Sequence, residues 1–240
     1  MLYFFLSYAH GENDDLVSVF FEDLSAEVRT YTGTDPRQQV GFLDNDALRA
    51  GAAWPPELID ALSTCRTLIA LCSPRYFLSL PCGKEWTVFR WRLEAYAKAA
   101  LRRAPALIPL FWVPTDPPAH LGDLQHRDRQ FGNTYDRHGL RQLMRISTHR
   151  NAYLELVTAL ALRISEIHRE HAIPELNHRP DFHAVPSAFH PDDLSAPHAG
   201  SEPPAEPAPR PVAATPPAEP RKPPRRPILT YDTDPHDDHP

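Results

Sequence analysis

Residues 66–86 read Arg-Thr-Leu-Ile-Ala-Leu-Cys-Ser-Pro-Arg-Tyr-Phe-Leu-Ser-Leu-Pro-Cys-Gly-Lys-Glu-Trp. The apolar run Thr67–Cys72 is too short for a helix of its own and is followed by Ser73-Pro74, so it predicts a strand buried on both faces. A polar and aromatic loop is expected next, and then a long helix whose first turn carries Glu85. Ligands of open parallel sheets bind at the carboxyl ends of the strands, so this stretch predicts both a fold and a site.

The chain on either side of this stretch alternates apolar strands with amphipathic helices. Further strands are predicted over residues 3–7, 40–43 and 106–112, and Pro109 places the last one at a sheet edge or a bulge. Apolar residues at helical spacing predict a helix between each pair of strands and a last helix that ends near His171. This β-α-β-α-β-α-β-α order predicts an α/β fold, a flavodoxin-like doubly wound parallel sheet.

The composition divides the chain into two parts. Eighteen of its 28 prolines lie at or after Pro174, and 11 acidic against 6 basic residues from Ala172 onward account for most of the net charge of −6. We therefore predict a folded domain over residues 1–171 and a disordered Pro-rich C-terminal tail over residues 172–240. The tail's proline clusters could form polyproline II segments that bind aromatic grooves, but a solvated spacer is the simpler interpretation.

Several classes of function are disfavoured by the composition. The nearly neutral folded part has no basic surface for nucleic acid. The N-terminal apolar segment is too short for a signal peptide or a membrane span, so we expect a soluble, cytoplasmic protein. The three cysteines and the 13 histidines show no zinc-type spacing, and we expect no metal site. Neither a dinucleotide fingerprint nor a P-loop is present, and no cofactor is required.

Candidate ligand-binding residues follow the predicted strands, because their carboxyl ends meet at one edge of the sheet. They are Ser7, Tyr8 and His10 after the first strand, Asp44 and Trp54 in the loop after the second, and Ser73, Tyr76 and Cys82 after the third. The alternative for the hydroxyl groups is that they satisfy backbone groups of the loops. The alternative for Trp54 is that it anchors the following helix in the core.

Three segments resemble the Toll/interleukin-1 receptor (TIR) domain family. Phe5-Leu6-Ser7-Tyr8 resembles the family's first box, and Asp44 followed by Ala50-Gly51 resembles its BB loop, with Ala50 where the family usually has proline. Residues 73–85 resemble the Ser-x-x-Tyr-x-x-Ser-x-Trp-Cys-x-x-Glu pattern of bacterial and plant TIR domains, with Pro81 in place of the tryptophan. This resemblance covers roughly the first 112 residues and implies a TIR-like fold.

A more specific resemblance is to the TIR-like FxsC family. It is based on residues 3–9, Gly41-Phe42, Ser73-Pro74-Arg75-Tyr76-Phe77 and Cys82-Gly83-Lys84-Glu85-Trp86, and also on residues 135–144. That family is associated with a peptide-modification system built around a radical SAM enzyme and a short precursor that ends in a Phe-x-Ser-x-x motif. The resemblance thus implies a protein partner in bacterial peptide maturation or signalling.

The resemblance leaves two functions open. The first is association with a protein partner, or self-association of TIR domains, through a BB loop that carries Arg49 and Trp54. The second is cleavage of NAD as substrate, in which Glu85 is the candidate catalytic residue because a carboxylate stabilises the oxocarbenium-like state of glycosidic cleavage. Glu85 could instead only complement the dipole of its helix. A deep pocket that Glu85 lines would favour cleavage, and a blocked crevice would favour association.

Overall fold

A computed structural model describes residues 2–11, 13–43, 54–121, 131–176 and 178–190. Within these ranges the strands are β1 (Phe4–Ser7), β2 (Gly41–Leu43), β3 (Thr67–Cys72) and β4 (Leu107–Phe111). The helices are α1 (Asp14–Thr32), α2 (Pro56–Thr64), α3 (Pro74–Leu78), α4 (Leu80–Ala100), α5 (Asn133–Arg145) and α6 (Arg150–Glu170), with short 3₁₀ turns at Ala119–Leu121 and Ser147–His149.

The strands form one parallel sheet in the order β2-β1-β3-β4, which confirms the flavodoxin-like α/β prediction. Every residue of β1 and β3 is buried, as expected for central strands covered by helices on both faces. Since β2 and β3 lie on opposite sides of β1, the carboxyl ends of β1 and β3 flank the crevice. β4 pairs with β3 alone among the described strands, in agreement with the edge position predicted from Pro109.

Helices α1 and α6 pack together against the sheet. The predicted stripe of α1 is buried at Val17, Phe20, Leu24 and Val28. Two hydrogen bonds join the helices: Tyr153 donates to Asp23 at 2.7 Å, and Thr158 donates to Glu27 at 2.9 Å. No helix within the described ranges combines the length and the apolar character needed to cross a membrane.

The segment after β3 differs from the prediction. The expected loop contains the five-residue helix α3, and α4 begins at Leu80, so Glu85 lies in its second turn and not in its first. Two serines cause this: Ser73 accepts a hydrogen bond from the Tyr76 N–H at 3.1 Å, and Ser79 accepts one from the Cys82 N–H at 3.4 Å. Each serine is followed by a proline in the first turn, a combination that starts helices.

The boundary predicted at His171 is wrong, since the chain stays packed on the domain up to Phe189. Four apolar residues beyond the boundary have buried side chains with at most 5% exposure: Ile173, Phe182, Val185 and Phe189. Burial of apolar side chains compensates the conformational entropy that ordering this segment costs. The remaining residues of the predicted tail, 191–240, lie outside the described ranges, and their disorder stays a prediction.

Three arginines hold the chain where α6 ends. Arg102 donates to the carbonyl of Glu170, Arg66 to that of Ile173 at 2.7 Å, and Arg92 to that of Pro174 at 2.9 Å. The Glu170 carbonyl belongs to the last turn of α6, where carbonyls lack partners within the helix and carry partial negative charge, so the Arg102 cation is stabilising there. The segment after α6 is therefore anchored at its start by charged hydrogen bonds.

His171 at this junction makes the stability depend on pH. Arg102 donates to the Tyr96 hydroxyl at 2.8 Å, and this hydroxyl lies 3.0 Å from His171 Nδ1. Burial lowers the pKa of His171 below its usual value, and the Arg102 guanidinium lowers it further, against a smaller opposing effect of Glu170. The folded protein thus keeps this imidazole neutral at a pH where the unfolded chain is already protonated.

We predict that the free energy of unfolding falls as the pH drops below about 6.5, the usual pKa of histidine, and levels off once the pH passes the lower pKa of the folded state. His171→Asn keeps a hydrogen-bond acceptor but cannot titrate, so it should flatten this decline. Urea unfolding between pH 7.5 and 5 measures the effect.

His183→Asn, at an exposed position beyond α6, is the matched control and should leave the pH profile of unfolding unchanged. If His171→Asn and wild type show the same slope with pH, His171 does not contribute to it.

Candidate functional site

A cleft of about 540 Å³ lies at the carboxyl end of β1, beside the first turns of α3 and α4. One part of its wall comes from the end of β1 and the residues that follow it: Leu6, Ser7, Tyr8, Ala9 and His10. The other part comes from α3, α4 and the serine between them: Arg75, Leu78, Ser79, Pro81, Cys82 and Glu85. The volume is within the range that holds small organic ligands.

Five of the candidate residues come together in this cleft: Ser7, Tyr8, His10, Cys82 and Glu85. The Tyr8 hydroxyl lies 3.1 Å from His10 Nδ1, and the Cys82 thiol donates to the Tyr8 carbonyl at 3.3 Å. The loop after β1 is thereby joined to the start of α4. Parallel strands with helical connections bring these distant segments to one edge, as the pattern predicted.

Glu85 forms the floor of the cleft, and its residue is only 4% exposed. Ser7, the last residue of β1, donates a short hydrogen bond from Oγ to Glu85 Oε2. Tyr76, which is fully buried behind the cleft, lies with its hydroxyl 3.0 Å from Ser7 Oγ. Because the single hydroxyl hydrogen of Ser7 goes to Glu85, Tyr76 is the donor to Ser7, and the three side chains form one directed chain.

Burial controls the protonation of the groups around Glu85. It raises the pKa of the Tyr76 phenol well above the usual value, and nearby Cys82, Cys72 and Glu85 raise it further. It also raises the pKa of the Cys82 thiol, as does the Glu85 carboxylate. Both groups therefore stay protonated near neutral pH, so Tyr76 serves as a hydrogen-bond donor and Cys82 is not a nucleophilic thiolate.

Other candidate residues occupy different places. Ser73 is buried as the N-cap of α3, and Tyr76 does not line the cleft but is hydrogen-bonded to Ser7, which does. Trp54 is partly buried, and its ring stacks on Phe182 with 4.1 Å between centroids, which matches the alternative of a packing role. Asp44 and Arg49 lie outside the described residues.

Arg75 and Ser79 line the cleft although the sequence did not single them out as ligand-binding residues. The Arg75 side chain is exposed, and its guanidinium lies 3.3 Å from the point that a Cβ on Gly11 would occupy. Gly11 has a φ of +84°, so glycine suits its backbone and also leaves room for this cation. The sequence feature that could have identified Arg75 as a cleft residue is its position between Ser73, the N-cap of α3, and Tyr76.

The cleft thus places a carboxylate at its floor and a cation at its side. A cation and nearby hydroxyl groups can bind phosphate oxygens, and a carboxylate can stabilise positive charge on a sugar. Within the described part of the chain, no three His, Cys, Asp or Glu residues lie close enough together to hold a metal ion. Cys65, Cys72 and Cys82 are buried free thiols.

The family model described as "TIR domain" matches residues 4–144, which is more than half of the chain and runs from the start of β1 to the penultimate residue of α5, with the whole cleft included. No curated protein matches the chain.

Ser7→Ala tests the hydrogen-bonded chain. It removes the donor to Glu85 and the acceptor of Tyr76, so two buried groups each lose one partner. We expect the free energy of unfolding to fall by about 1–3 kcal/mol, the usual cost of such a loss. Urea unfolding at pH 7 measures it.

Ser25→Ala is the matched control, because Ser25 is also buried but its hydroxyl has no hydrogen-bond partner among the described residues. Its substitution should leave the stability unchanged or raise it slightly. A loss for Ser7→Ala no larger than that for Ser25→Ala would contradict the role of Ser7.

Proposed function

The chain belongs to the TIR domain family, whose members are signalling and protein-interaction modules, and we propose that this module binds NAD in the cleft beside Glu85 and cleaves its nicotinamide–ribose bond. The observation that carries the proposal is the cleft itself, with Glu85 at its floor. A crevice filled by side chains would have favoured a pure association module.

The charges of the cleft fit two parts of NAD, its phosphates and the ribose whose bond to nicotinamide is broken. NAD carries two phosphates, and the exposed guanidinium of Arg75 supplies positive charge for them. The ribose next to nicotinamide would then lie deeper, towards Glu85. Tyr8 and Leu78 add apolar surface to the wall, where an aromatic nicotinamide ring can pack.

The chemistry needs one well-placed carboxylate and a water molecule. The bond between ribose C1′ and the nicotinamide nitrogen breaks, its electron pair leaves with neutral nicotinamide, and positive charge develops on the sugar. Glu85 stabilises that charge. Water then adds to C1′ and loses a proton, so the products are nicotinamide and ADP-ribose. Ser7 keeps the carboxylate aligned, so little reorganisation is needed in the transition state.

Glu85→Gln tests the catalytic role. The amide keeps the size of the side chain but removes its negative charge, and we expect nicotinamide release to fall by on the order of 100-fold or more. The measurement is chromatographic product analysis after incubation with NAD, at high protein concentration and with a crowding agent, since TIR enzymes often act only when assembled.

Glu94→Gln is the control on the same helix, because Glu94 is an exposed partner of Arg90 at 3.4 Å and lies away from the cleft. It should release nicotinamide at the wild-type rate. Equal release by wild type and Glu85→Gln would remove Glu85 as the catalyst, and no release by wild type would leave association as the function.

Association with a protein partner is the second candidate, and the family match supports it directly. The resemblance to the TIR-like FxsC family extends it to a partner in a radical SAM peptide-maturation system. In this proposal the BB loop makes the contact through Arg49. Trp54, which stacks on Phe182, serves the packing of the domain.

Arg49→Glu tests this association. Charge reversal should weaken self-association, or binding to a co-purified partner, by at least roughly fivefold, which corresponds to about 1 kcal/mol at an interface. The stability should change by no more than about 0.5 kcal/mol, as for most surface positions. Light scattering and pull-down measure the first effect, and thermal unfolding measures the second.

Arg145→Glu, an exposed charge reversal at the end of α5, is the control and should leave association unchanged. A large loss of stability in Arg49→Glu would assign Arg49 to the packing of the domain and contradict the association role.

A further inference from the structure

The segment Asp181–His190, which we call the C-terminal strap, packs on the part of α4 that carries Glu85. Its residues Phe182, Val185, Ser187 and Phe189 are at most 5% exposed. The Phe189 ring lies between α3 and α4, with centroid distances of 5.4 Å to Tyr76, 5.3 Å to Phe77 and 5.7 Å to Trp86. The strap is therefore part of the packing around the site.

The strap also contacts the α4 backbone. The Ala188 N–H donates to the Gly83 carbonyl at 3.0 Å. A Cβ on Gly83 would lie 2.0 Å from Ser187 Oγ and 3.1 Å from the Phe189 ring, so only glycine allows this approach. The Lys84 ammonium donates to the Phe182 carbonyl at 2.5 Å. Two consecutive residues of α4, immediately before Glu85, are thus held by the strap.

The contacts of Phe189 lead directly to the carboxylate. Phe189 packs on Tyr76, the Tyr76 hydroxyl donates to Ser7, and Ser7 donates to Glu85. On the other side, Phe189 packs on Trp86, the neighbour of Glu85 in the chain. None of the residues that line the cleft belongs to the strap. Any effect of the strap on Glu85 is therefore one of position.

We propose that the C-terminal strap is a positioning element of the Glu85 site. Phe189 acts as a wedge that keeps Tyr76 and the first turns of α4 in place, so that the carboxylate stays on Ser7. The kinetic consequence rests on the proposed NAD cleavage, whereas the structural consequence does not. Reactions that depend on one oriented group are sensitive to small displacements of it.

The first test compares two variants of the full-length chain by amide hydrogen exchange with mass spectrometry. Phe189→Ala removes the wedge, and Phe182→Ala removes an equally buried ring that stacks on Trp54 instead. We expect exchange in residues 76–89 to be at least about tenfold faster in Phe189→Ala and within about twofold of wild type in Phe182→Ala. Unchanged exchange there in Phe189→Ala would overturn the proposal.

A second pair of variants keeps the proposal testable if Phe189→Ala fails to fold. Gly83→Ala adds a methyl group that would lie 2.0 Å from Ser187 Oγ and 3.1 Å from the Phe189 ring, and Ser187→Gly removes the closer of these two contacts. Gly83→Ala alone should speed exchange in residues 76–89, and the double variant should return to within about threefold of wild type. A double variant as fast as Gly83→Ala would contradict direct contact between the strap and α4.

Measurement of nicotinamide release distinguishes a failure of the strap proposal from a failure of the proposed NAD cleavage. If wild type is active, Phe189→Ala should lower kcat at least about tenfold with KM within about threefold, because the strap does not line the cleft. An unchanged kcat despite faster exchange would overturn the positioning role. If wild type releases no nicotinamide, the NAD proposal fails, while the exchange measurements still decide whether the strap holds residues 76–89.

Discussion

The buried carboxylate of Glu85 is the constraint on which the site depends. A charge removed from water costs several kcal/mol unless hydrogen bonds compensate it. Ser7 supplies one such bond and is itself held by Tyr76, although Ser7 lies 69 positions from Tyr76 and 78 from Glu85. The end of β1, helix α3 and helix α4 must therefore adopt one arrangement together. A shift of β1 by one residue would turn Ser7 to the opposite face and leave the carboxylate without this donor.

Buried positive charge has a similar effect about two turns further along α4, at Arg92. Arg92 is 1% exposed and donates to the carbonyls of Leu62 at 2.8 Å and Pro174 at 2.9 Å. Burial lowers the pKa of Arg92, and these oxygens offset part of the cost. Helix α4 is thus joined to α2 and to the chain beyond α6. The folded unit consequently includes residues that a division by composition assigns to a tail.

Prediction from the sequence succeeded where the pattern was long and local. The stripe of α1 identifies a helix, because its period reports which face is buried. The short apolar runs of β1 and β3 identify strands that are buried on both faces. Helix α3 was missed, since five residues are too few to show a helical period. Its sequence signal is limited to the N-cap Ser73 and the following Pro74. The strap was missed because its buried residues are spaced irregularly among proline, histidine and charged residues, a composition typical of disordered chain.

The sequence by itself determined the order of the strands and of the long helices between them, the family, and the position of Glu85 in the long helix that follows β3. Only the tertiary structure decided which groups meet: Ser7 with Glu85, Trp54 with Phe182, and Phe189 with Tyr76. The reason is physical. Periodicity over a few residues reveals which side of an element avoids water, but a contact between distant segments depends on how all the elements fill the same space.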